Sequence, residues 1–137
     1  MIGLSVKGKY GVAAMMDLAI GYQAGPIQIK SIADRHHIPQ NYLERLLADL
    51  KRAGLVHSYR GNQGGYELRK NPKDITIYHI LECLEGPINL AEGHKGCKNL
   101  NSFWQQMNEK IKEVFNLTLT ECLAHKQLEE KMLTYSI

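Results

Sequence analysis

Residues 58–70, SYRGNQGGYELRK, place one guanidinium, Arg60, beside three glycines, Gly61, Gly64 and Gly65, and two side-chain amides. Arginine is a permanent cation with several donors, and glycine lets backbone turn sharply and come close to another molecule. The stretch therefore suits an anionic partner such as a phosphate chain. A second polar set comes just before it: Gln40, Asn41, Tyr42, Glu44, Arg45 and Lys51. Amides, a carboxylate and cations together can donate to and accept from polar edges. A third set, Glu92, His94 and Cys97, offers oxygen, nitrogen and sulfur donors to a metal or an unusual cluster. Cys97 between Lys95 and Lys98 also reads as a redox thiol, because nearby positive charge favours the thiolate. No base and nucleophile pair at a fixed spacing, so the residues point away from an enzyme.

The 137-residue chain carries a formal charge of only +3, and the excess is local. Residues 41–73 hold seven Lys/Arg against three Asp/Glu, a net of +4, while the remainder nets −1. The positive field thus surrounds Arg60 and the polar set before it. No apolar run reaches the roughly 20 residues of a membrane span, and the N-terminus lacks an export pattern. A cytoplasmic protein with no membrane partner is expected. Cys83, Cys97 and Cys122 are odd in number and far apart, unlike a secreted disulfide framework.

The elements that carry these groups follow from spacing. Val6, Tyr10, Ala13, Ala14, Met16, Leu18 and Ile20 form a helical stripe from Val6 to Ala24, with Ser5 as N-cap and Gly25-Pro26 as the stop. Ile29, Ile32 and Ala33 suit one face of a short helix ending near His36 and His37, and Ile38-Pro39 opens a third. There Leu43, Leu46, Leu47 and Leu50 share one face, which leaves Gln40, Asn41, Glu44, Arg45 and Lys51 on the other. Gly54 caps its end. Residues 55–59 and 66–69 read as strands joined through the glycine-rich stretch, and a helix from about Thr76 to Gly86-Pro87 presents Ile77, Ile80, Leu81 and Leu84.

Beyond an irregular stretch at 88–98, Leu100, Trp104, Met107, Ile111 and Val114 step by four, three, four and three. Such a seam packs along another helix, so a partner is implied. A last helix over LTLTECLAHKQLEEKML would rest on the first domain or on that partner. The fold expected is mainly α with a small β-hairpin. Residues 1–87 form a winged helix-turn-helix DNA-binding domain, 88–98 a sensor loop, and 99–137 a dimerisation helix followed by a C-terminal helix. In a winged helix-turn-helix the second helix of the pair lies in the major groove while the hairpin touches the flanking backbone or minor groove. Arg60 would then enter a narrow minor groove, where the negative potential is strongest. Tyr42 has two readings, stacking on the phosphodiester chain or folding onto the domain surface. A winged helix serving protein association is the competing class.

The run YLERLLADLKRAGLVHSYRGNQGGYELRKNPKDITIYHILECLEGP, with the N-terminal LSVKGKYGVAAMMDLA and the tryptophan-bearing helix, resembles the Rrf2 family of bacterial winged-helix transcription regulators. The resemblance implies a homodimer with helices crossing between subunits, on a palindromic operator whose half-sites lie ~34–36 Å apart. It also implies contact with double-stranded DNA through Asn41, Tyr42, Glu44 and Arg60, and in many members repression. Glu44 could accept from a cytosine amino group. Some members hold an iron-sulfur cluster through three cysteines in the loop before the long helix. This chain has one there, Cys97, a poor cradle for a cluster that normally takes four ligands. No cofactor is therefore expected, and a small-molecule or protein effector is the alternative signal. Cys83 is expected in the core, and Cys122 in the packing of the last helix.

Overall fold

The computed structural model describes residues 3–90 and 98–135. Six helices and one hairpin follow in order: α1 Val6–Ile20, α2 Ile29–His36, α3 Gln40–Arg52, β1 Val56–Tyr59, β2 Gly65–Leu68, α4 Ile77–Glu85, α5 Asn101–Val114 and α6 Leu119–Tyr135. The architecture is the mainly helical winged helix-turn-helix that the apolar spacing implies.

Local chemistry sets most boundaries. The Gly8 amide donates to Ser5 Oγ at 3.5 Å and the His79 amide to Thr76 Oγ1 at 3.1 Å, so both N-caps satisfy helix donors that have no partner within the helix. Thr118 caps the start of α6 in the same way, with the Glu121 amide donating to Thr118 Oγ1 at 3.1 Å. Between α2 and α3, His37 takes the left-handed conformation (φ 55°) and the Ile38 amide donates to the Ala33 carbonyl, closing a tight turn. Two expectations shift. The first helix ends at Ile20 rather than Ala24, because bonds from Tyr22 to Ala19 and from Ala24 to Gly21, with Gln23 left-handed at φ 68°, turn the chain early. The strands sit one residue off at 56–59 and 65–68, although the Arg69 amide still donates to Leu55.

The core lies between α1, α3 and α4. Leu43, Leu46, Leu47 and Leu50 are all essentially inaccessible, together with Met15, Leu18, Ile32 and Ile80. Full burial of each such side chain contributes about 1.5–3 kcal/mol, so the four leucines fix which face α3 turns outward. Gly11 lets α1 approach α4 closely, since a Cβ there would collide with the Leu84 side chain. The start of α6 is stitched to the start of α4. Ile77 and Tyr78 amides donate to the Leu117 and Phe115 carbonyls at 2.8 and 2.9 Å, the Leu119 amide donates to Ile75 at 2.9 Å, and Leu119 is fully buried. Cys83 and Cys122 are half-buried against this core, where burial first pushes both thiols up in pKa.

Candidate nucleic-acid interface

The hairpin is held to the helix-turn-helix by backbone. Its register pairs Val56 with Leu68 and Tyr59 with Gly65, and β2 also bonds to the residue ahead of α2: Ile27 and Tyr66 exchange two hydrogen bonds of 2.8 Å. Close backbone approach explains two of the three glycines, this contact for Gly65 and the hairpin's own loop for Gly64. A Cβ on Gly65 would fall on the Ile27 carbonyl, and one on Gly64 on the Tyr59 and Arg60 backbone. Gly61, at φ 101°, has open space around it and supplies the turn that the Gly64 amide closes on the Gly61 carbonyl at 2.9 Å. Close approach within the protein thus accounts for Gly64 and Gly65, a need the sequence does not display.

On α3 the residues singled out from sequence share the exposed face: Gln40, Asn41, Glu44, Arg45 and Lys51 are exposed. Asn41 Oδ1 accepts from the Tyr42 amide at 3.0 Å, which leaves its Nδ2 donors outward. Tyr42 is half-buried and stands edge-on to Tyr10, ring centroids 5.9 Å apart at 81°, so its ring lies on the domain surface. Lys51, at the far end of α3, donates to Ser58 Oγ of β1 at 2.6 Å and ties the helix to the hairpin. Glu44 lies close enough to Tyr66 that its charge adds to the burial raising that phenol's pKa. Arg60 is exposed, and among the described residues neither it nor Arg45 forms an ion pair. Both guanidiniums therefore keep their donors open to solvent.

Other charges near the site are internally engaged. Asp17 on α1, only 3% exposed, accepts from His36 at 2.9 Å and Arg35 at 3.3 Å, and so clamps the last turn of α2. Asp49 pairs with Lys7 at 2.8 Å and with Arg52, and the Lys7 hydrogen bond is the chief reason its carboxyl sits below the usual range. On the hairpin's outer face Tyr59 donates to Glu67 at 2.6 Å. The one local signal of the Asp17 clamp is an acid set among the apolar Met15, Met16 and Leu18 of α1, which does not identify its partners.

Residues 4–128 match the Rrf2 family, described as iron-dependent transcriptional regulators. The chain belongs to the Rrf2 family. CymR of Bacillus subtilis is 40% identical over 124 residues, covering 88% of each chain. The solved structure of that protein, the global cysteine regulator of B. subtilis, is similar to this fold with a TM-score of 0.81 at 37% identity, covering 91% of this chain and 98% of that one. IscR of T. potens matches with a TM-score of 0.77 at 40% identity, covering 91% and 88%. This Rrf2 protein is accordingly a DNA-binding transcription regulator, and its family is one of regulators rather than enzymes.

The family description names iron, yet the described residues do not supply a site for it. No group of three or more His, Cys, Asp or Glu side chains converges among them. Cys83 and Cys122 have thiols shifted away from the thiolate that a cluster or metal would need. Glu92, His94 and Cys97 lie outside the described residues. Among the described residues no helix is long and apolar enough to cross a membrane.

Proposed function

We propose that this Rrf2 protein is a cytoplasmic repressor that binds a palindromic operator as a homodimer, with α3 in the major groove and the hairpin as a wing on the flanking DNA. The observation that carries the reading is the division of α3: its four leucines are buried, while Gln40, Asn41, Glu44 and Arg45 are exposed, as is Arg60, which forms no ion pair among the described residues. Asn41 and Glu44 take the base edges, Gln40 and Arg45 the backbone, and Arg60 the minor groove. Gly61 shapes the tip, Gly64 and Gly65 seat the wing, Lys51 fixes its base, and Tyr42 braces the helix. Residues 1–87 act as the DNA-binding unit, 88–98 as the sensing segment, and 99–137 as the dimerising part.

The orientation of α5 supports the dimer. Asn108 accepts from the Leu90 amide of its own chain at 2.9 Å, and Lys112 Nζ stands 5.8 Å from the centre of the Tyr78 ring. Among the described residues the neighbouring apolar side is left open: Leu100, Phe103 and Val114 are exposed, and Trp104, Met107 and Ile111 half-exposed. A second copy of the seam supplies the missing face.

Selection of duplexes from a random pool with the full chain tests this. We expect an inverted repeat whose affinity falls by roughly a thousandfold or more between 50 and 200 mM salt, as counterions are released from several phosphates. Recovery of no shared sequence would refute operator recognition.

A further inference from the structure

The wing tip has its own anchor. Two strands of four residues are marginal by themselves, and the Ile27–Tyr66 bonds hold β2 at its loop end without reaching the loop residues 60–64 themselves. Among the described residues one hydrogen bond reaches that loop from outside the hairpin: Gln28 Nε2 donates to the Asn62 carbonyl at 3.2 Å, across 34 positions of sequence. Gln28 occupies the N-cap of α2, where a Ser, Thr, Asp or Asn side chain would bond the helix's own amides, and its side chain makes no such bond. The side chain faces the wing instead, along an open groove of about 300 Å³ that Lys30, Tyr59, Gly61 and Tyr66 also line. Arg60 immediately precedes the bonded turn, so the position of the tip sets the position of the guanidinium.

We propose that Gln28 is a positioning residue for DNA binding: it straps the wing tip to the start of α2 and so fixes where Arg60 meets the duplex. This rests on the reading of the hairpin as a DNA-contacting wing. The strap acts before binding, because a tip already held need not be ordered when DNA arrives, and ordering costs affinity. The bond is to a backbone carbonyl, so the requirement falls on the donor at position 28 and not on the side chain of Asn62.

The test is Gln28→Ser, with and without Arg60→Ala, in the full chain. Serine at the N-cap can bond the α2 amides but is too short to reach Asn62, so stability and affinity are expected to move apart. The melting temperature stays at or above that of the parent, while affinity for the selected operator falls between about fivefold and a hundredfold for a dimer losing two such bonds. In the Arg60→Ala background the serine adds less than about twofold, and hydroxyl-radical protection at the outer flank is lost with α3 protection intact. Unchanged affinity for Gln28→Ser, or an effect that multiplies fully with Arg60→Ala, overturns the strap alone, since Gln28 would then be idle or touch DNA itself. If Arg60→Ala binds like the parent, the wing reading fails and the strap with it.

Discussion

Gly61 and Gly65 both lie at positive φ in the wing, 101° and 151°, yet alanine at each position should cost differently. At Gly61 the added methyl meets nothing within 4 Å, so the loss is backbone strain alone, about 1–2 kcal/mol. At Gly65 the methyl lands on the Ile27 carbonyl group and the Gln28 amide nitrogen. Relief requires that the hairpin leave the segment before α2, which breaks both Ile27–Tyr66 bonds. At about 0.5–1.5 kcal/mol net for each bond, Gly65→Ala loses about 1–3 kcal/mol beyond its own strain. For a domain of this size each kcal/mol is worth roughly 3–6 °C, so the two variants should melt at least a few degrees apart, Gly65→Ala lower. Thermal unfolding followed by circular dichroism measures this directly. Equal melting temperatures would show that the Ile27–Tyr66 bridge does not secure the wing.

Placing glutamate at Ile111, on the uncovered side of α5, is expected to convert a dimer into a monomer by light scattering with an unchanged helical spectrum; a dimer that persists would put the interface elsewhere. Asp17→Ala should lower stability by about 1–3 kcal/mol in urea unfolding, less than for a fully buried pair because Arg35 and His36 remain partly hydrated; a loss below about 0.5 kcal/mol would deny the clamp its role. Asp49 has a depressed folded pKa, so its contribution is complete above the ordinary carboxylate value of about 4 and is lost as pH falls through the folded value. Lys7→Met, which removes the main cause, should therefore flatten the acid limb of stability against pH, and an unaltered limb would contradict the assignment. The Cys83 and Cys122 thiols, raised by burial, should react with a thiol reagent at neutral pH far more slowly than after unfolding, and equal rates would show they are not shielded.

Helix positions were legible because their signals are local. Ser5 and Thr76 cap the turns that follow them, the leucine spacing of α3 turns one face inward, and Gly86 stops α4, all within a few residues of the groups they satisfy. The exposed set Gln40, Asn41, Glu44 and Arg45 follows from the same arithmetic, since burying Leu43, Leu46, Leu47 and Leu50 leaves the other face of α3 no choice. The end of α1 lies four residues before the position its apolar stripe implies, because Gly25-Pro26 is a stop that the chain reaches only after it has already turned at Gly21.

The helices, the hairpin, the basic segment and the side of each helix that seeks cover are written in local residue patterns. How these parts are locked comes from contacts made in the folded chain: Asp17 on His36, Ile27 on Tyr66, Gln28 on Asn62, and the α5–α6 junction on the start of α4. Three of these four locks use backbone amides or carbonyls, which every residue carries and no residue type announces. Their partners lie 19 or more positions apart, so they form only after the chain has closed long loops around a core that the local patterns bring together.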